Sequence, residues 1–413
     1  MTPPAAFDYD AIILGAGAAG LMAAIHAAER GRKVLLLEKG KKAGIKILMS
    51  GGTRCNITHD CDNRGIVEAF GSNGKFLHSA LANFGVRETV AFFNGEGVAT
   101  KAEETGKIFP VSDRALDVLD ALLRRLHRSG ATLALNEPAK DVTAIDGGFR
   151  VTTPLRTLTA TKLLVTTGGL SYPGCGTTGD GYGFARKFGH TVTATRPSLV
   201  PVTVHAEWVK DLSGVTMPDV GLKVVHENKS LAGRRGSLLF AHFGLSGPVA
   251  LDISRAVSGH ATPSQLALEF DLLPAVPEAQ FNDYVQAESL AQGKKQLAGV
   301  LAEKLPRRVC DHLLTLTGQD PDRRAAALSK PDRLALVAAV KRLRVPVKGT
   351  LGYEKAEVTS GGLSLDEVDS RTMQSKRHPG LYFAGEVLDL DGWIGGYNFQ
   401  SAWSTGTLAA KGL

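Results

Sequence analysis

Gly15, Gly17 and Gly20 stand in G-x-G-x-x-G spacing, and Glu38 follows 18 residues after the last of them. Glycines at this spacing suit a pyrophosphate. The first permits a tight turn, the second lets backbone approach the phosphates, and the third lets a helix pack against a sheet. A carboxylate at Glu38 would take both hydroxyls of a ribose and repel a 2′-phosphate. These residues need a strand before the turn, a helix behind it and a second strand to deliver the acid. AIILGAGAAGLMAAIHAAERGRKVLLLE (11–38) supplies all three in order. Ile12–Leu14 read as the end of a buried strand, the helix runs to Arg30-Gly31, and Lys33–Leu37 form the second strand. The phosphates would sit at the helix N-terminus, beside Ala18 and Ala19, where free N–H groups favour negative charge.

The choice then lies between FAD and NAD, with NADP disfavoured. The motif lies near the N-terminus, and later glycine clusters fall where the other half of a flavin needs them, so FAD is expected, held without a covalent bond. After Glu38 comes KGKKAGIKILMSGGTRCNIT. Lys39, Lys46, Gly51, Gly52, Arg54, Cys55 and Asn56 are candidates to wrap the pyrophosphate and reach the ring, with Arg54 assigned to phosphate. Val142, at the head of a strand over 142–145, is also placed beside the cofactor. The strand-like LLVTT (163–167) runs into glycine, making Thr167 and Gly168 candidates. Near the C-terminus, PGLYFAGE delivers Gly385 and Glu386, the latter toward a ribityl hydroxyl or the pyrophosphate loop. Gly396, Tyr397, Asn398 and Phe399 open a final helix toward the flavin's pyrimidine edge, where N–H donors stabilise reduction.

GAGAAG, GIKILMSGGTRCNIT, LLFAHFGLSGP (238–248) and GLYFAGEVLDLDGWIGGYNFQSAW (380–403) together resemble the BaiN-like (YhiN-type) NAD(P)/FAD-dependent oxidoreductases. The resemblance spans essentially the whole chain. It implies FAD binding, a flavin domain interrupted by an insert, and, in one subgroup, reduction of a C=C bond in bile-acid intermediates. This chain departs from the family pattern at Thr53, where a third glycine is usual, and at Gln374, where an acid is usual. The C-terminal third is also similar to fumarate-reductase-like flavoproteins through TSGGLSLD, TMQS and PGLYFAGE. Their histidine and arginine after GE are replaced here by Trp393, Tyr397 and Asn398, which argues against dicarboxylate reduction.

The expected fold is therefore α/β: a discontinuous FAD-binding Rossmann-like domain (1–195 and 346–413) interrupted by an insert. The insert reads as β-rich over 196–275 and helical over 276–345, a candidate substrate lid. Gly174, Gly176 and Gly179 formally repeat the glycine motif. No acid-terminated βαβ unit follows them, so a separate NAD(P)H domain is not expected, although NAD(P)H is the expected co-substrate.

Glycine, 47 of 413 residues, is above the roughly 7 % of average usage, and the excess falls in these loops. The net charge of +7 comes from scattered cations, without the basic runs or interleaved aromatics of a dedicated nucleic-acid binder. No stable nucleic-acid partner, membrane span, metal site or signal peptide is expected. Cys55, Cys61, Cys175 and Cys310 lack C-x-x-C spacing and suit the cytoplasm. The principal expectation is NAD(P)H-driven reduction of an activated C=C or similar organic acceptor. Flavin-dependent RNA modification and a flavin redox sensor are the competing readings. His242, Tyr172 and Tyr397 are the candidate proton donors.

Overall fold

The computed structural model describes residues 7–413. They divide into two compact units, residues 7–197 with 357–413 and residues 198–356.

In the first unit the expected βαβ unit is present. Strands Tyr9–Leu14 and Val34–Leu37 pair in parallel, with helix Ala18–Ala28 between them in sequence. Both strands end in fully buried apolar runs, Ala11–Leu14 and Val34–Leu37, as a parallel strand covered on both faces requires. They are the middle of a seven-stranded sheet. Thr132–Ala134 lies outside Val34–Leu37, and Thr157–Val165 pairs in parallel with Tyr9–Leu14. The far edge of Thr157–Val165 is shared. Its first half pairs antiparallel with Gly148–Thr152, which leads on to Asp141–Ile145, and its second half pairs in parallel with Leu381–Phe383.

Five parallel strands therefore end at the same edge of the sheet, and four of them lead into the loops of interest. Their continuations are the Gly15 turn, Glu38, Thr166–Gly168 and Ala384–Glu386, and in open α/β sheets this carboxyl edge is where ligands bind. Helix Tyr397–Ala410 packs against helix Ala18–Ala28; a Cβ on Gly406 would lie 2.3 Å from the Ala19 carbonyl oxygen. A small three-stranded sheet, Thr58–His59, Lys107–Pro110 and Thr100–Ala102, completes the unit.

The second unit is a closed antiparallel barrel with helices of its own. Around it run Val202–Val204, Gly244–Ser246, Lys229–Ala241, Thr216–His226, Leu266–Asp271 and Leu343–Thr350. Phe240, Phe270, Leu222 and Val224 fill its core, together with Phe281 and Leu313 from helices Glu278–Ala291 and Arg307–Leu316. Barrel and helices form one unit with one core, where the sequence suggested separate β-rich and helical pieces. The return to the first unit comes at Glu357, later than the expected 346. Strand Leu343–Thr350 delays it, because that strand is needed to pair with both Leu266–Asp271 and Val202–Val204.

Candidate cofactor site

The glycine turn has the geometry its spacing implies. Gly15 has φ +103°, and a Cβ there would stand 2.8 Å from the Thr166 carbonyl oxygen. At Gly20 a Cβ would lie 2.0 Å from the Gly15 carbonyl oxygen, which fixes helix to turn. Gly17 differs: a Cβ there would meet nothing within 4 Å. Gly17 is also the N-cap of helix Ala18–Ala28, and no side chain caps it. The first-turn N–H groups thus border an open space, the cradle that a pyrophosphate fills. Thr166, absent from the sequence-based candidates, braces the turn by donating its hydroxyl to the Leu14 and Gly15 carbonyls at 3.0 and 2.9 Å. The neighbouring Thr167 hydroxyl is buried with no hydrogen-bond partner and faces Gly181, where a Cβ would lie 2.3 Å from it.

Glu38 follows directly on its strand. Its carboxylate accepts from the Ala16 N–H at 3.0 Å and the Gly40 N–H at 2.7 Å, one to each oxygen. That fixes the side chain while each oxygen keeps a lone pair for a ribose hydroxyl.

The segment after Glu38 is tied to the other loops of this edge by charged pairs. Lys39 donates to Asp180 at 2.6 Å and Thr178 at 2.5 Å. Lys46 donates to Glu386 at 2.5 Å and to the Ser171 hydroxyl at 2.7 Å. Glu386 also accepts from the Ser171 hydroxyl at 2.7 Å and the Thr359 N–H at 2.9 Å. Its carboxylate, expected to hold a ribityl hydroxyl, thus binds three chain segments together. Arg54, expected on phosphate, stacks on Phe109 at 3.9 Å and donates to Glu103 at 2.7 Å and to Asp113 at 3.4 Å. The carboxylates engage its charge within the chain.

Gly51 and Gly52 take the left-handed conformation, at φ +56° and +66°, and interrupt the helical segment Ile45–Thr53. Cys55 is fully buried, and desolvation pushes its thiol up to about 12. Burial likewise raises Cys61 to about 11, and both cysteines are unbonded, so neither is poised as a thiolate. Asn56 bridges this loop to the last helix: its amide donates to the Thr58 carbonyl at 2.9 Å and accepts from the Gly396 N–H at 3.1 Å.

That helix, Tyr397–Ala410, starts from Gly396 at φ +94°, where a Cβ would lie 2.4 Å from the Thr58 carbonyl oxygen. Asn398 turns back to brace the preceding loop, accepting from the Gly392 N–H at 2.8 Å and donating to the Gly392 carbonyl at 3.0 Å. Tyr397 is buried and stacks on His59 with ring centres 4.5 Å apart. His59 had no signal in sequence; its Nδ1 lies 2.9 Å from the Gly395 carbonyl, and burial holds its imidazole below the usual range. Phe399 stacks on Trp403 at 5.4 Å. Gly385, at φ +75°, donates its N–H to Thr405 of the same helix at 3.0 Å, and its Cα faces Ala19.

The remaining candidates fall in different places. Gly168 has φ +72° under Thr177, directly past the carboxyl edge. Val142 is fully buried in the antiparallel arm opposite Val151. Tyr172 sits on the same edge at φ +53°, half-buried, and desolvation together with Glu357 and Cys175 raises its phenol. Gly179 opens helix Asp180–Lys187, and the next strand, Arg196–Ser198, lies outside the seven-stranded sheet, so this glycine cluster is a loop and not a second βαβ unit. His242 belongs to the second unit, exposed in the two-residue turn between Lys229–Ala241 and Gly244–Ser246, with its ring 4.9 Å from Phe243.

An uncapped glycine cradle, the Glu38 carboxylate and a second glycine-led helix thus meet at one sheet edge of the first unit. This arrangement fits FAD and defines a Rossmann-type flavoprotein oxidoreductase. The chain belongs to the family described as HI0933-like protein Rossmann domain, whose model matches residues 9–412. It is 38% identical to a protein of Escherichia coli (strain K12) named ribosomal RNA dihydrouridine synthase, over 98% of each chain. A protein of the same name from Haemophilus influenzae is 35% identical over 97% of this chain and 98% of its own. A 3-dehydro-bile acid delta(4,6)-reductase of Clostridium scindens is 30% identical over 97% of each. These matches agree with the BaiN-like resemblance of the four sequence blocks.

Proposed function

We propose that this protein uses FAD to reduce a C=C bond conjugated to a carbonyl, and that the alkene is a uracil ring in RNA. The observation that carries the reading is the full-length 38% identity to a protein named ribosomal RNA dihydrouridine synthase. The bile-acid relative points to the same chemistry, since a uracil ring and an unsaturated 3-keto acid both present an alkene beside a carbonyl. FAD, when bound, supplies the hydride, and NAD(P)H is the proposed source of electrons.

The chain's own residues then have two tasks. One is to hold the cofactor: Gly15–Gly20 and the following N–H groups at the pyrophosphate, Glu38 at the ribose, and the Gly396-led helix at the other end. The other is to give a proton to the carbon next to the carbonyl as hydride adds to the far alkene carbon. Tyr172 suits the second task, because its phenol carries a proton at neutral pH and lies half-buried on the carboxyl edge. Tyr397 and His242 are the other candidates. RNA would be a substrate engaged in turnover, not a stable partner.

The test is anaerobic reduction of the FAD-loaded protein by NADH and NADPH, followed by unmodified ribosomal RNA. Reoxidation of the flavin with formation of dihydrouridine is expected. Reoxidation by an unsaturated ketone but not by RNA would replace the RNA reading with a small-molecule reductase. Flavin that no pyridine nucleotide reduces would remove NAD(P)H from the scheme.

A further inference from the structure

Strand Lys229–Ala241 is 13 residues long, but its two edges are used unequally. One edge pairs with Thr216–His226 along nearly its whole length. The other pairs only at Leu239–Ala241, with the short strand Gly244–Ser246. Among the described residues, no strand covers the second edge from Lys229 to Leu238. A free edge of this length spans about 30 Å of backbone donors and acceptors.

Its composition points to one kind of occupant. Lys229, Arg234 and Arg235 are exposed on this stretch, and the whole strand has no carboxylate. Ser230, Ala232, Gly233, Gly236 and Ser237 are small, so the backbone between the cations stays accessible. Successive side chains of a strand point to opposite faces. Arg234 and Arg235 therefore flank the edge from either side. Arg235 donates to Asp219 of the paired strand at 2.7 and 2.8 Å, so part of its charge is engaged within the chain while its side chain stays exposed. The second unit as a whole carries 20 Lys and Arg against 16 Asp and Glu. Cations set on both sides of a row of N–H groups are suited to a polyanionic backbone.

We infer that the free edge of Lys229–Leu238 docks the phosphate backbone of the RNA substrate. The inference rests on the RNA reading above and adds the surface that would hold the RNA.

The test uses the full-length, FAD-loaded protein and a short fluorescein-labelled RNA hairpin containing uridines, titrated by anisotropy over a salt series. Lys229→Ser, Arg234→Ser and Arg235→Ser together are expected to weaken binding about tenfold or more. They should also lower the salt slope by about 2–3, one counterion per lost phosphate contact. A control variant, Lys294→Ser with Lys304→Ser and Lys330→Ser, removes the same charge from the helices and should bind as wild type. FAD content and reduction by NAD(P)H should match wild type in both, which separates lost docking from misfolding. If the triple variant misfolds, Lys229→Ser with Arg235→Ser is measured in its place. Equal binding by edge variant and wild type overturns the inference while leaving the RNA reading standing. Equal loss in edge and control variants also overturns it, since charge alone would then set affinity. A variant that self-associates with RNA binding intact shows that these cations guard the edge against a second copy, and overturns it as well. Failure of the wild type to bind any RNA removes the RNA reading itself.

Discussion

Thr53 shows how a single residue can carry strain that its neighbours avoid. It has φ +70° beside Gly51 and Gly52, which share that conformation without a Cβ to object. A β-branched residue in the left-handed region is an outlier, costing of the order of 1–3 kcal/mol. Glycine would relieve this at an entropic cost of roughly 0.5–1 kcal/mol. Thr53→Gly is therefore expected to raise the Tm of the FAD-loaded protein, and an unchanged or lower Tm would show that the loop stabilises threonine in some other way. Glu38 is the contrasting case, fixed without strain by two backbone N–H groups. Glu38→Ala should weaken FAD by roughly 1.5–3 kcal/mol, the range for a hydrogen bond to a charged group, with the fold retained. Fluorescence titration measures this directly, and wild-type affinity in the variant would remove Glu38 from the site.

At the level of elements, helix Tyr397–Ala410 is buried on nearly every side, and its contacts are made through absent side chains. A Cβ on Gly406 would press on the Ala19 carbonyl, in the first turn of the helix that forms the pyrophosphate cradle. Gly406→Ala should therefore cost about 1–3 kcal/mol from overpacking and lower FAD affinity as well. Urea unfolding with parallel FAD titration checks both. A second element, the turn at Leu365–Glu367, is pinned electrostatically. The Arg377 hydrogen bond at 2.5 Å, helped by the N–H and hydroxyl of Thr191, holds Glu367 down at about 2. A carboxylate depressed in the folded state stabilises fully above its unfolded pKa and loses that stability as pH falls through the folded value. Glu367→Gln should thus destabilise most at neutral pH. Its difference from wild type should shrink between about pH 4.5 and about pH 2 in chemical denaturation curves.

The glycine motif, the acid and both parallel strands were legible because each follows local rules of periodicity and turn chemistry. The bonds that assemble the site were not legible, since they join residues far apart in sequence. Lys46 meets Glu386 across 340 positions, and His59 meets Gly395 across 336. Arg54 was read by its type, a cation near phosphate, but Glu103, Asp113 and Phe109 converge on it from elsewhere. The expected return at 346 falls instead inside a barrel strand, where Pro346 lies opposite Ala267.

Considered whole, the molecule has two cores with no residue in common. The barrel's first and last strands pair with each other, Val202 opposite Thr350, so the second unit closes on its own ends. Residues 198–356 expressed alone should therefore fold cooperatively and bind no FAD. Circular dichroism and a thermal melt would check this, and a non-cooperative melt would show that the first unit is needed to complete the barrel.

The shared edge of strand Thr157–Val165 has a consequence in time. Its second half waits for Leu381–Phe383, which leaves the ribosome more than 200 residues later. The barrel lies between them in the chain and can close while the sheet is still missing a strand. The glycine turn is thus made early, but Gly385, Glu386 and the Gly396-led helix reach it only after the whole barrel has been synthesised. Until Leu381–Phe383 emerges, a nascent chain leaves half of one edge of Thr157–Val165 bare, the stretch a chaperone would need to cover.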